Sequence, residues 1–244
     1  MISNVVGRGM LARVFYKNTL EDCLFFCSGV SKSFEKNKEE FDREKELLVE
    51  NMKIHEGKCL VYFSSILSTL RSSEYYNHKF EIENYIAKNA QQYLIFRLPQ
   101  AAGKVLNDTL FPFFVRNIYF GNNIKIFSNS TRCIVDVEDV YRGLNLIYRK
   151  GIRNSVIDFC PAFSFEPLEL AQLIASELNT VLNFELVNQE SIQICSPSDD
   201  VSRLHLFSHK DLYLKNIVNK YTPEIVELIL HDEKAYSSSP QYYR

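Results

Sequence analysis

Tyr75 and Lys79 stand four positions apart in the stretch EYYNHKFEIE, residues 74–83. On a helix that spacing puts both side chains on one face. A tyrosine titrates near 10 and is a poor base at neutral pH. An ammonium group beside it favours the phenolate and lowers that value, so the pair could move a proton to or from a reacting oxygen. With 14 tyrosines in the chain, composition alone yields roughly one such spacing, and the pair gains meaning only from its surroundings. Ten residues earlier the apolar run KCLVYFSS (58–65) ends in Ser64 and Ser65, whose hydroxyls could hydrogen-bond a substrate oxygen. Glu83 follows Lys79 by four, and RLPQAAG (97–103) closes the next apolar run with Arg97, Gln100 and Gly103.

A second motif opens the chain. SNVVG (3–7) leads into Gly7-Arg8-Gly9-Met10-Leu11-Ala12, a G-x-G-x-x-A turn between an apolar run and a helical one. The first glycine permits the tight turn and the second lets the backbone approach a pyrophosphate. The small third residue lets helix and strand pack closely, with the helix N-terminus facing the phosphates. The usual partner is a carboxylate about 20 residues on, at the end of the next strand, holding the adenine ribose. Here the next apolar run, CLFFCSG (23–29), ends in Ser28-Gly29, and Glu21 and Asp22 precede it.

The elements that must position these residues alternate. Strands are predicted at 3–7, 23–29, 58–65 and 92–99, and helices at 9–16, 34–55 and 75–89. Continuous apolar strands separated by helices predict an α/β fold, a parallel sheet with helices on both faces. In helix 34–55, Phe41, Leu48 and Met52 recur at helical spacing and suit either the chain's own sheet or a partner helix. The second half is more mixed. A helix follows the N-cap choices Asn107-Asp108-Thr109, strands are expected in IKIF, RCIVDV and SVIDFC, and helices in 137–151 and 166–178. The tail SSSPQYYR (237–244) reads as frayed.

Composition narrows the classes of function. The chain has 244 residues, 46% hydrophobic, and a net charge of −2 with no basic stripe, which argues against general nucleic-acid binding. No apolar run reaches the length of a membrane span, and the first residues lack the pattern of a signal peptide. These features predict a cytoplasmic protein. The six cysteines (Cys23, Cys27, Cys59, Cys133, Cys160 and Cys195) form no CxxC pair and read as small buried hydrophobes in a reducing compartment. His205 and His209, four apart, could share a helix face, but no third ligand accompanies them and no metal site is predicted. Asp136, Glu138 and Asp139 read as structural, with Asp139 near a helix N-terminus.

The ordered set of strand-SS, Y-x-x-x-K-x-x-x-E, R-x-x-Q-x-x-G and TRCIVDVEDV (131–140) resembles the extended short-chain dehydrogenase/reductase family, the NAD-dependent epimerases and dehydratases of nucleotide sugars. The resemblance covers almost the whole chain. It implies that Tyr75 is the general acid/base, that Lys79 tunes it and holds the nicotinamide ribose, and that Ser65 hydrogen-bonds the substrate oxygen. It implies an NAD or NADP site at Gly7, Arg8, Gly9, Met10, Leu11, Ser28, Gly29, Ser64, Tyr75, Lys79, Leu98 and Gln100. The nucleotide sugar would meet Ser65, Gln100, Asn107, Arg132 and Arg203. Arg97 reads equally as a structural ion-pair partner, and Gln100 stands where the family usually has asparagine.

This chain departs from the family in one large respect. Only about ten residues separate the first helix from CLFFCSG, where family members place a strand, a helix and another strand. The resemblance therefore implies a Rossmann-like sheet truncated on its adenine side, with its first strand at an edge and the cofactor weakly held. The core is expected in 1–103 and 132–160, and a substrate-binding region in 104–131 and 161–244. The expected function is an NAD(P)-dependent reductase or epimerase of a nucleotide-linked sugar in surface-polysaccharide biosynthesis. The alternative is a non-catalytic dinucleotide- or nucleotide-sugar-binding protein. Ile66-Leu67 after Ser65 disfavours a dehydratase, which needs an acid/base pair there. A homodimer through helices 34–55 and 75–89 is the expected assembly.

Overall fold

The computed structural model describes residues 3–17, 20–191, 193 and 195–231; the tail expected to fray lies outside them. The chain divides into two compact units. The first comprises Met1–Pro99, Val137–Cys160 and Pro197–Leu204, and the second Gln100–Asp136, Pro161–Ser196 and His205–Arg244. Residues 100–103 and 132–136, expected with the core, thus fall in the second unit, and 197–204 in the first.

The first unit is built on a five-stranded parallel sheet. Its strands are β1 (Val5–Val6), β2 (Cys23–Phe26), β3 (Cys59–Ser65), β4 (Tyr93–Leu98) and β8 (Ser155–Asp158), hydrogen-bonded in the order β1-β2-β3-β4-β8. Strand side chains alternate between faces, and each face meets its own helices. Leu24, Phe26, Leu60, Tyr62 and Ile95 form one core with Leu48, Ile82 and Ile86, from helices α2 (Lys38–Ile54) and α3 (Glu74–Asn89). On the other face Phe15 of α1 (Met10–Lys17) stacks on Phe25 at 4.6 Å and meets Phe63 and Tyr141, the last from α5 (Val137–Arg149). Helices therefore cover both faces, as the sequence predicts. A short helix, α7 (Asp199–Ser202), lies by the end of β8, where Ser198 N–H donates to the Asp158 carbonyl.

β1 is the edge strand, two residues long and paired only with β2. No strand lies beyond it among the described residues, which is the expected truncation on the adenine side. α2 begins at Lys38 rather than 34, because the Asn37 side chain accepts from Glu39 N–H at 3.0 Å and caps the first turn. Ser73 caps α3 in the same way, accepting from Tyr76 N–H. The stripe of α2 packs within the chain: Leu48 and Met52 join the core on the sheet, and Phe41 is buried in a cluster with Val30 and Tyr75. It is not an open face awaiting a partner helix.

The second unit packs three helices together, α4 (Leu110–Tyr119), α6 (Pro167–Glu177) and α8 (Lys210–His231). Two small parallel ladders complete it: β5 (Gln100–Ala102) with β7 (Ile134–Asp136), and β6 (Ile124–Ser130) with β9 (Phe184–Ser191). Cys133 and Cys195 are joined in a disulfide. This corrects the reading of all six cysteines as thiols: the two lie 62 residues apart in sequence, and only the fold brings them together. His205 and His209 do not share a helix. His205 has φ +51° and His209 precedes α8, whose first turn begins at Lys210.

Candidate functional site

The glycine turn lies where the sequence places it. Gly7 has φ +125°, a conformation that only glycine adopts without strain. A Cβ there would come within 2.6 Å of the Cys27 carbonyl oxygen, so the close approach of the β1–α1 turn to the end of β2 also requires glycine. Gly9 differs. A Cβ on it would meet nothing within 4 Å among the described residues, leaving open space at the start of α1. Arg13 N–H donates to the Gly9 carbonyl, so the helix begins there and its first N–H groups lack helical acceptors. The start of α1 is thus open above Gly9.

β3 and β4 end together, with Ile66 N–H donating to the Leu98 carbonyl. Beneath them lies a buried polar network. Glu83, 3% exposed, accepts from Ser64 Oγ at 2.5 Å, Ser68 Oγ at 2.8 Å and Arg97 Nη2 at 2.6 Å. Arg97 also lies 3.7 Å from Asp158, so the arginine acts as a structural partner that fixes the strand ends. Ser64 is spent on this network, whereas Ser65, at the last position of β3, is half-buried and accepts from Leu67 N–H at 3.2 Å.

Tyr75 and Lys79 share the inner face of α3, 9% and 2% exposed. The lysine is not turned to the tyrosine alone. Its Nζ donates to Glu44 Oε1 at 3.0 Å and to Tyr62 Oη at 3.1 Å, while lying 5.7 Å from the centre of the Tyr75 ring. Glu44, on α2, is fully buried and collects further donors. Val30 N–H reaches it at 2.7 Å, Tyr62 Oη at 2.6 Å, and His78 Nε2 lies at 3.0 Å. Burial pushes the Glu44 carboxyl up, but the Lys79 charge and the hydrogen bonds from His78, Tyr62 and Val30 outweigh it and hold the group well below the usual carboxylate range. Burial, and after it the Glu44 charge, push the Tyr75 phenol above its ordinary value. The sequence predicts a lowered Tyr75 phenol; here it is pushed up instead, chiefly by burial and then by the Glu44 charge.

Sequence reading missed Glu44, though a signal was present. Phe41, Glu44 and Leu48 recur at i, i+3 and i+7, which places the glutamate on the buried stripe of an otherwise charged helix. A buried carboxylate demands a cation and donors, and Lys79, His78 and Tyr62 supply them.

The remaining expected residues fall as follows. Leu98, at the end of β4, is buried. A Cβ on Gly29, beside Ser28, would lie 2.6 Å from Lys79 Nζ and 2.9 Å from Glu44 Oε1, so the loop after β2 is closed onto this ion pair. Within the second unit, Gln100 Oε1 is buried with no hydrogen-bond partner among the described residues. Asn107 Oδ1 accepts from the backbone and hydroxyl of Thr109 at the start of α4. Arg132 Nη1 donates to the carbonyls of Thr131 and Ser191. In the first unit, Arg203 is exposed and faces Asp199 and Asp200 of α7. Arg8, Met10 and Leu11 follow Gly7 through the turn into α1.

No family model matches the chain, and no curated protein matches it. Solved structures do. RMD from Pseudomonas aeruginosa complexed with NADPH is 14% identical with a TM-score of 0.69, over 86% of this chain and 83% of that one. The enzyme WbmH of Bordetella bronchiseptica in complex with NAD+ is 16% identical with a TM-score of 0.70, over 90% and 81%. UDP-N-acetylglucosamine 4-epimerase from Methanobrevibacter ruminantium M1, in complex with UDP-N-acetylmuramic acid, is 13% identical with a TM-score of 0.69, over 85% and 77%. The fold of this chain is accordingly the Rossmann-like α/β fold of these solved structures, and among the described residues its parallel sheet ends at β1.

Proposed function

We propose that this chain is an NAD(P)-dependent reductase or epimerase of a nucleotide-linked sugar, serving surface-polysaccharide biosynthesis. The observation that carries the reading is the open space over Gly9 at the carboxyl ends of parallel strands, in the unit that also holds Ser65, Tyr75 and Lys79. Ligands of open parallel sheets bind outside those ends. NAD or NADP would supply or accept the hydride. Gly7, Arg8, Gly9, Met10 and Leu11 would hold its pyrophosphate, and Ser28, Gly29, Leu98 and Gln100 would border its nicotinamide end. Ser65 would orient the substrate oxygen and Tyr75 would exchange its proton, with Lys79 beside it. Asn107, Arg132 and Arg203 are the candidates for the nucleotide diphosphate. A homodimer through helices 34–55 and 75–89 belongs to the same proposal, using faces other than the Phe41, Leu48 and Met52 stripe already packed within the chain, and light scattering at micromolar concentration tests it.

A second reading, binding without turnover, is favoured by the Glu44–Lys79 ion pair, which occupies the lysine's charge. Calorimetric titration with NAD+, NADH, NADP+ and NADPH, followed by turnover assays on 4-keto nucleotide sugars, separates the readings. An enzyme binds a dinucleotide and loses turnover in Tyr75→Phe while keeping its affinity. A binding protein shows affinity and no turnover in either form. No heat at millimolar dinucleotide would refute the enzyme reading and leave a nucleotide-sugar-binding protein, tested by titrating nucleotide sugars in the same way.

A further inference from the structure

Four donor groups converge on the carboxylate of Glu44 among the described residues of the first unit. An ammonium, a phenol, an imidazole and a backbone N–H close on it from α3, β3 and the loop after β2. It is further fixed by its own helix, where Phe41 stacks on His78 with ring centres 4.6 Å apart. None of these groups belongs to the glycine turn, and the pair lies directly under Gly29. Ordinary stability does not call for such a group, since a buried ion pair is often no better than apolar residues of the same volume.

We propose that Glu44 is a built-in counter-ion that closes the Tyr75–Lys79 pair, so that a ligand can use the Lys79 ammonium only by displacing this carboxylate. Glu44 is then a positioning residue. It touches neither substrate nor cofactor, and acts by holding Lys79 in an internal ion pair. The inference rests on the proposed Tyr75–Lys79 site, but its test needs no cofactor. The groups facing Glu44 are Lys79 and His78 on α3 and Tyr62 on β3. Those acting on Tyr75 are Lys79, whose ammonium lies over its ring, Tyr76, with ring centres 5.1 Å apart, and through their charge Glu44 on α2 and Tyr62 on β3. Burial and the Glu44 charge both favour the neutral phenol of Tyr75. Removing the carboxylate leaves the ammonium of Lys79 with no anionic partner and turns its field on the tyrosine.

The test is the titration of Tyr75 followed by NMR of protein labelled at tyrosine Cζ, with Tyr75→Phe to assign the resonance. In the unaltered protein Tyr75 stays a phenol through the ordinary tyrosine range. In Glu44→Gln its titration moves down by about one pH unit or more, a tenfold change in acidity. In Glu44→Gln combined with Lys79→Met the downward shift is clearly smaller than in Glu44→Gln alone, because the share due to the cation is gone. Equal titration in the unaltered protein and in Glu44→Gln overturns the proposal. So does a shift of the same size in the double variant, which would leave the Lys79 ammonium no part in it. If Glu44→Gln does not fold, urea melts of the two variants decide. Recovery of folding in the double variant supports the internal pair, and equal failure of both overturns it. Dinucleotide titration of Glu44→Gln then reports separately on the proposed function. Tyrosine results as expected with no dinucleotide binding would leave the counter-ion standing and sink the enzyme reading.

Discussion

Glu83→Ala tests the network that fixes the ends of β3 and β4. The carboxylate holds two buried serine hydroxyls and the guanidinium of Arg97, whose side chain is 15% exposed. Breaking a buried ion pair by removing one partner costs about 3–5 kcal/mol. Arg97 keeps Asp158 at 3.7 Å, which puts the ionic loss near the bottom of that range. Ser64 and Ser68 then lose a buried acceptor, at about 1 kcal/mol for each hydroxyl that finds no other. The sum is about 4 kcal/mol, or roughly 8–16 °C in melting temperature for a chain of this size. Circular dichroism at 222 nm during urea and thermal unfolding measures it directly; the chain has no tryptophan for a fluorescence probe. The double variant Glu83→Leu with Arg97→Met removes both charges and should recover most of the loss, since the penalty is the uncompensated guanidinium. A loss below about 1 kcal/mol in Glu83→Ala, or no recovery in the double variant, would show that these contacts do not bear on stability as argued.

Three further outcomes are expected. Gly7→Ala destabilises the fold by more than about 2 kcal/mol through its positive φ and its clash with the Cys27 carbonyl, whereas Gly9→Ala shifts the urea midpoint little and lowers dinucleotide affinity about tenfold or more if the pyrophosphate rests there. Non-reducing denaturation followed by thiol titration finds four thiols in a chain of six cysteines, and reduction of the Cys133–Cys195 bond lowers stability by about 2–4 kcal/mol; six thiols without reductant would refute the bond. Because the Glu44 carboxyl is held below its ordinary value, its contribution to stability is fully present above the unfolded glutamate value of about 4.3 and is lost as pH falls through the lower folded value. The urea midpoint should therefore fall more steeply below pH 4 in the unaltered protein than in Glu44→Gln with Lys79→Met.

The sheet was legible because its strands are continuous apolar runs divided by charged helices. CLFF and CLVYFSS became neighbouring strands in register, Cys23 opposite Cys59. The second unit was less so. β9 is exposed along most of its length, so FELVNQES carries neither an apolar run nor a clean alternation, and its parallel pairing with β6 is non-local. The 22-residue helix α8 contains Pro223, which reads as a breaker in sequence; the proline is exposed, and the helix continues through it while packing on α4 and α6. At the site, the spacing of Tyr75 and Lys79 placed both on one face of α3, as four residues must. What spacing could not supply was the partner from another helix. The lysine's charge is decided by Glu44, 35 residues away, and only tertiary packing brings that carboxylate to it.

The discontinuity of the first unit has a consequence for biosynthesis. β4 is emerging long before β8, the strand that pairs its outer edge, and the intervening residues belong largely to the other unit. At about 5–20 residues per second, the gap between Leu98 and Ser155 leaves that edge uncovered for roughly 3–12 seconds of synthesis. The edge of Leu94–Arg97, later paired with Ser155–Asp158, waits there unpaired, a template for any other nascent strand. A growing chain of this protein should therefore engage holding chaperones within that interval, and ribosome-bound chains ending before residue 155 should be the ones that aggregate on release.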